Sequence, residues 1–572
     1  MSRPGSRLIF AAVLVAGALG AARCGSPPAS STSNNSAIER DLLDVTVDQL
    51  QRYYRDRKYT VTQVTSWHLD RIERYNGIYR AIEQVFRDEA LERAAELDAE
   101  PAGSQRGPLW GVPIVIKANT SIKDHVTTDG WEGFTIKGLE LIAPRDATVV
   151  TRLRAAGAVI VGHSNMPDFA NSDTNRSTSF GRTGNAYDVR FSPGGSSGGT
   201  VTAVAASMAV LGTGTDTGNS IRMPAATSGL VGVFPTRGLV SIAGIAPLDW
   251  LLDNTGPIAR SVTDAAVALS VMAGEDPLDA RTQGSPAQAQ PGPYSQYLKP
   301  DALKGKRFGV PKFILDGSGI PFHGIPASVP DAQVDKLRTA AATPLTAETR
   351  AAFNAALDKL RAAGATIVID DSILPESFAR LASRIATYPY VREGTEQYLK
   401  TFGPSQYRSA DEYAKAAGKP LGSPMIGTAE EFRRFGGVAI EQRSIESDPD
   451  AERNYHRPKR ETLAAYLEPL DRLQLDGYVY PAIQMPPPDE TMPQDGGLSG
   501  GPHSATSWVN MLGVPAIVVA GGVYPSGLPF GLEFSTRPWK DGDLIGWAYA
   551  WEQATHERRP PELVEKGLIK AR

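Results

Sequence analysis

This 572-residue sequence predicts an α/β fold, a sheet of strands covered by helices, on three observations. Residues 146–163, DATVVTRLRAAGAVIVGH, read as a helix, a glycine turn at Gly157 and a buried strand. Residues 344–369 repeat the order, an amphipathic helix to Gly364 followed by ATIVI. Short apolar runs at 112–116 and in the C-terminal GYVYPAI, VPAIVVAGG and GLPFGLEF have the density of β-branched and aromatic residues that buried strands require. Alternation of this kind places the strands in a mostly parallel or mixed sheet with helices on its faces.

Taken in order, the chain opens with Arg3 and Arg7 ahead of an apolar run at 8–22, LIFAAVLVAGALGAA. The run is shorter than the ~20 residues that span a bilayer, and with its small-residue end it reads as a signal peptide over 1–23. Residues 24–36, rich in Ser, Pro and Asn, read as a flexible tether. Cys24 sits where a bacterial lipoprotein carries its lipid, although Arg23 departs from the Leu-Ala-Gly-Cys pattern. The expectation is an exported protein whose one link to a membrane would be a lipid at Cys24. A single cysteine excludes an intramolecular disulfide and a multi-cysteine metal site, and a net charge of −4 gives no electrostatic reason to expect nucleic acid.

From 45 to about 100 the pattern is helical. One helix opens near Asp44, Val45, Leu50 and Tyr54, and a second opens with the capping-box spacing of Thr60 and Gln63. A third reads through AIEQVFRDEALERAAELDAE, with apolar positions at Ile82, Val85, Ala90 and Ala94. Further helices are expected at 200–211 and 261–273. Residues 274–343, with stretches such as GSPAQAQPGPY, read as a peripheral insertion of irregular connections. The charged segment 399–460 reads as a cover on the substrate side. No fixed-period repeat is present, so residues 37–572 read as one large domain.

Chemistry concentrates in two glycine-rich turns, GGSSGG around Ser196 and GTDTGNSIR around Ser220, 24 residues apart and joined by small residues. Bare backbone N–H groups in such turns suit a phosphate or an oxyanion, and the GK[ST] ending of a phosphate loop is absent. Lys117 ends the apolar run GVPIVIKAN, where lost hydration lowers a lysine pKa and yields a neutral amine able to accept a proton. Taken singly, a glycine cluster is a turn and a strand-end lysine a snorkelling surface residue. Their combination suggests a serine hydrolase with a lysine base.

A rival assignment makes Ser196 the nucleophile of a G-x-S-x-G elbow. That elbow needs a strand directly before it, and DVRFSPGG with Pro193 supplies none. Its histidine base would have to be His323, His456, His503 or His556, none in a recognisable setting. His125 and His163 read as structural or surface residues, and no ligand spacing such as HExxH implies a metal.

In order and spacing, GPLWGVPIVIKAN, GHSNMPDFA, SPGGSSGGT, GTDTGNSIRMPA, GLVGVFPTRGLVS, DNTGPIARSVTDAA and GLPFGLEF resemble the amidase signature family. The resemblance runs from the N-terminal helices to Pro560. It implies an α/β/α sandwich around a large mixed sheet and a Ser–cis-Ser–Lys triad with Ser220 as nucleophile, Ser196 as bridging serine and Lys117 as base. It further implies an oxyanion hole from the N–H groups of Thr217, Gly218, Asn219 and Ser220, a loop braced by Asp216 and Arg222, Ser196 supported by Ser197, and no cofactor. Three positions depart from the pattern: Asn219 replaces a glycine, Ala118 stands where an Asp often follows the lysine, and Phe234 replaces a common lysine. The implied activity is hydrolysis of carboxylic amide C–N bonds in a small-molecule substrate. An esterase or carbamate hydrolase of the same fold and a non-catalytic binding protein are the alternatives. A family member that feeds ammonia to tRNA-bound glutamate would be cytosolic and partnered, and the leader argues against it.

Overall fold

A computed structural model describes residues 31–101, 104–321, 324–427, 440–491 and 500–561. The expected signal peptide, Cys24 and His323 lie outside them. The described residues fall into two units, divided after Leu43. The described part of the first contains a helix, Ser31–Leu42. That helix begins inside the stretch expected to be a tether and corrects the expectation from Ser31 onward. Ser, Thr and Asn open helices as readily as turns, and the AIERDL behind them contains good helix formers.

The second unit is organised on an eleven-stranded sheet. Its strands are β1 (Ile82–Val85), β2 (Pro113–Lys117), β3 (Val159–Ser164), β6 (Leu211–Asp216), β7 (Val231–Phe234), β8 (Asn254–Ala259), β9 (Arg307–Gly309), β10 (Thr366–Val368), β11 (Gly477–Pro481), β12 (Ala516–Val523) and β13 (Pro529–Ser535); a separate two-stranded ribbon pairs β4 (Arg176–Ser177) with β5 (Gly181–Arg182). The order is β1-β3-β2-β6-β8-β7-β12-β13-β11-β9-β10. Pairing is parallel at β3-β2-β6 and at β11-β9-β10 and antiparallel elsewhere, so the sheet is mixed. Helices including Gly198–Ala205, Val262–Met272, Ala347–Ala362 and Asp541–Thr555 pack along it, and Thr148–Ala155 packs on Val262–Met272. This is the α/β architecture with a large mixed sheet that the sequence predicts.

Local chemistry explains the boundaries. Thr60 and Gln63 cap each other reciprocally, as their spacing predicts, and Thr46 and Gln49 form a second capping box that starts the helix Val47–Arg55. Ser261 accepts the Asp264 N–H at the start of Val262–Met272. Gly157, at φ +89°, turns the chain from helix into β3.

Three expectations are corrected. Residues 82–85 are strand β1, paired antiparallel with β3, and the helix begins only at Arg87. Hydrogen bonds to β3 outweigh the local helical pattern there. The small-residue helix spans Gly198–Ala205 rather than 200–211, because Ser207 turns to φ 56° and Leu211 enters β6. The segment 274–343 is not wholly peripheral. Its FGV run contributes to β9, which pairs with both β10 and β11, and a three-residue strand carries no periodicity to read.

Candidate active site

Two adjacent strand ends and a turn that opens a helix build the site. β2 is buried along its whole length between β3 and β6, and its last residue is Lys117. The Lys117 amine donates to Ser196 Oγ at 2.7 Å, to Thr215 Oγ1 at 2.8 Å and to the Thr215 carbonyl at 3.3 Å. Complete burial lowers its pKa from 10.5 to about 7, against the opposing pull of Asp129, Asp216 and Asp253. Asp129 is itself buried with neither carboxylate oxygen hydrogen-bonded, and burial raises its pKa well above the ordinary range, against the attraction of Lys117. Thr215 is organised further by Asn119, whose Nδ2 donates to Thr215 Oγ1 at 3.0 Å.

The turn bearing Ser196 precedes the helix Gly198–Ala205, and its Gly195–Ser196 peptide bond is cis. Gly195 has to be glycine: a Cβ there would collide with the carbonyl oxygens of Ser172 and Thr174. No strand precedes this turn, so the nucleophile-elbow assignment fails on its structural requirement. Ser197 N–H donates to the Ser220 carbonyl at 3.2 Å, and Ser197 Oγ donates to the Thr215 carbonyl at 3.3 Å. Ser197 thus ties the two serine-bearing turns together.

The second turn leaves the end of β6. Asp216 is the last strand residue, Thr217 to Ser220 form the turn, and a short helix, Arg222–Thr227, follows. Among the described residues none of the four backbone N–H groups of Thr217, Gly218, Asn219 and Ser220 donates to another protein group. Thr217 Oγ1 donates to Asp253 Oδ1 at 2.5 Å. Beneath the turn lies a fully buried ionic network. Arg222 bonds Asp216 through Nε at 3.0 Å, Glu533 at 2.8 Å, Thr506 Oγ1 at 2.7 Å, Asn510 Oδ1 at 2.5 Å and the Gly218 carbonyl at 3.0 Å. Asp216 also accepts the Ile221 N–H at 3.0 Å and Asn510 Nδ2 at 2.9 Å. Burial would raise the Asp216 pKa, but Arg222 and these hydrogen bonds hold it below the usual value.

Ser220 is 6% exposed and lines a pocket of about 270 Å³. The structure joins Lys117 to Ser196 directly, whereas Ser220 meets that pair through the Ser197 N–H rather than through its own hydroxyl. Asn219 turns its amide aside and donates to Asp173 Oδ1 at 3.2 Å. Among the described residues the pocket is walled by Asn171–Asp173, Ile320, Ala341, Thr343, His503, Ser504 and Ser507, and part of the expected cover at 399–460 lies outside the described residues. Of these the sequence singles out only His503, as a base; it lies 3.9 Å from Asp173 Oδ2. Phe234, in place of a lysine, lies under the Arg222 guanidinium at 5.3 Å from its ring centre. His163 is buried, its Nε2 donates to the Thr120 carbonyl at 3.1 Å and burial lowers its pKa to about 3, so it is structural. His125 pairs with Glu89 at 3.0 Å. Among the described residues no group of three or more His, Cys, Asp or Glu side chains is placed to hold a metal ion.

Comparison with known proteins agrees with this architecture. The Amidase family model matches residues 63–321. The A subunit of glutamyl-tRNA(Gln) amidotransferase from Symbiobacterium thermophilum is 32% identical over 91% of this chain and 99% of its own length. The protein of the same name from Moorella thermoacetica is 31% identical over 91% and 99%. Among solved structures, the native peptide amidase of Stenotrophomonas maltophilia superposes with a TM-score of 0.70 at 30% identity, covering 91% of this chain and 98% of that one. With a mixed sheet of this order and relatives aligned over almost their entire length, the chain belongs to the amidase signature family.

Proposed function

We propose that this protein hydrolyses carboxylic amide C–N bonds through an acyl-enzyme on Ser220, with Ser196 and Lys117 as its proton relay. One observation carries the reading: a fully buried lysine, held near neutrality, donates 2.7 Å to the serine beside the nucleophile's turn. Ser220 Oγ attacks the carbonyl carbon while its proton passes to Ser196, whose own proton goes to the neutral Lys117 amine. The free N–H groups of Thr217, Gly218, Asn219 and Ser220 receive the oxyanion, each such donor contributing ~3 kcal/mol. Collapse breaks the C–N bond, and the relay returns the proton to the leaving amine. Water then repeats the cycle on the ester and frees the acid. Asp216 and Arg222 act as the rigid base of the turn, and Ser197 holds Ser196 against it.

Esters and carbamates meet the same nucleophile and form the first alternative chemistry. A non-catalytic binding role would leave the buried amine, expensive to desolvate, without purpose. A second reading, one component of an amidotransferase assembly, is favoured by the 32% identity to the glutamyl-tRNA(Gln) amidotransferase protein. The leader-like residues 1–23 favour the stand-alone, exported enzyme. N-terminal sequencing of protein from a cell-surface or periplasmic fraction would test that location, and an intact Met1 in the cytosol would refute it. The activity test is acid and amine release from a panel of amides by the purified chain alone. Ser220→Ala should lose on the order of 10³-fold or more with an unchanged fold. Full activity in that variant would refute the reading, and amide hydrolysis appearing only with partner proteins would favour the amidotransferase.

A further inference from the structure

The pocket above Ser220 contains two titratable side chains among its described lining residues, Asp173 and His503, and no lysine or arginine. Asp173 is rigidly placed. Its loop lies directly against the cis turn, where a Cβ on Gly195 would strike Ser172 and Thr174, and on the other side a Cβ on Gly501 would strike Asp173 itself. Its Oδ1 accepts from Asn219, the residue next to the nucleophile, at 3.2 Å. Among the described residues its Oδ2 has no partner closer than His503 Nδ1 at 3.9 Å, and 31% of the side chain is exposed. One carboxylate oxygen therefore remains available to an occupant of the pocket that Ser220 also lines.

We propose that Asp173 determines specificity, selecting amide substrates that carry a cationic nitrogen and disfavouring those that carry a carboxylate. The proposal rests on the amide-hydrolase reading and adds the substrate class. A charge in a partly enclosed pocket is screened less than one on the surface, so an ammonium group seated at Oδ2 gains more there than in water, and a carboxylate is repelled. Asn219 contributes indirectly: where the family pattern has glycine, its amide holds the other oxygen and fixes the carboxylate's orientation. Among the described residues His503 is the one titratable group of the pocket lining that faces Asp173.

The test uses three matched primary amides, with a terminal ammonium, hydroxyl or carboxylate, each at three chain lengths. The readout is the ratio of kcat/KM for the ammonium over the hydroxyl compound, in which general damage to the nucleophile's turn cancels. For the wild type at its best chain length the expected ratio is about tenfold or more, falling as salt is raised. Asp173→Asn keeps an oxygen to accept from Asn219 and should bring the ratio to about one. A wild-type ratio near one, or a preference untouched by Asp173→Asn, overturns the charge selection and leaves the hydrolase reading standing. Should the Asn variant fail to fold, the salt dependence of the wild-type ratio decides, and a salt-independent ratio overturns the proposal. Failure to hydrolyse any of the three compounds overturns the hydrolase reading and this inference with it.

Discussion

Replacing Lys117 with methionine separates what the lysine does for chemistry from what it costs the fold. In the native protein its pKa falls from 10.5 to about 7 through burial. The native state thus binds fewer protons than the unfolded chain between those two values, and stability rises with pH across that window. At about 1.4 kcal/mol per pH unit, the full difference is roughly 5 kcal/mol, present as a penalty at pH 7 and below and removed near pH 10.5. Methionine fills similar volume without the charge and abolishes this penalty. It also strands one buried hydroxyl, Ser196 Oγ, which accepts from the amine at 2.7 Å, whereas Thr215 Oγ1 keeps the hydrogen bond from Asn119 Nδ2. Leaving Ser196 Oγ unsatisfied costs about 1–2 kcal/mol. The net expectation is an inactive protein about 3–4 kcal/mol more stable than wild type at pH 6.5. By about pH 9.5 that advantage vanishes, because the wild type has regained roughly 3–4 kcal/mol. Urea denaturation of both proteins at the two pH values measures this directly. A variant destabilised equally at pH 6.5 and 9.5 would refute the reasoning, since it would mean that the lysine is not desolvated in the native state.

Other outcomes follow from the same geometry. Because Lys117 must be neutral to accept a proton, kcat/KM should fall about tenfold per pH unit below roughly pH 7 and level off above it; a profile flat down to pH 5 would contradict the lysine base. Arg222→Met leaves Asp216 and Glu533 buried without their cation and should destabilise the fold by about 3–5 kcal/mol in a denaturation experiment, an effect that Arg222→Lys should not fully rescue because one ammonium cannot reach all five partners. Thr217→Val removes the hydroxyl bonded to Asp253 and should lower kcat by about tenfold with little change in stability, if that contact holds the oxyanion turn in place; an unchanged kcat in steady-state assays would rule it out.

Much of this site was legible because it is local in sequence. Lys117 closes an apolar run, Ser196 and Ser220 sit in two glycine-rich turns, and a small-residue helix joins them; each feature advertises itself within about ten residues. The capping box at Thr60 and Gln63 was legible for the same reason. What escaped depends on distant pairing. Strand β1 hides in a helical pattern because its partner, β3, lies some eighty residues on. The pocket walls at Ile320, Thr343 and His503 lie a hundred residues or more from Ser220, so no spacing marks them. Glu533, Thr506 and Asn510 complete the Arg222 network from the far end of the chain, and buried polar residues in apolar strands look the same whether they support a site or a core. Asp173 lies in a loop whose conformation alone brings it to Asn219.

The most direct measurement of the central claim is covalent labelling with a sulfonyl fluoride, read by intact-mass spectrometry and peptide mapping. An activated serine in the pocket should take up a single adduct, mapped to Ser220, at a rate that rises with pH up to about 7–8 as Lys117 loses its proton. Lys117→Met should slow that labelling by at least about a hundredfold. An adduct on Ser196 instead, or equal labelling of the wild type and the Lys117 variant, would contradict the assignment of Ser220 as a nucleophile activated through Ser196 by a buried lysine.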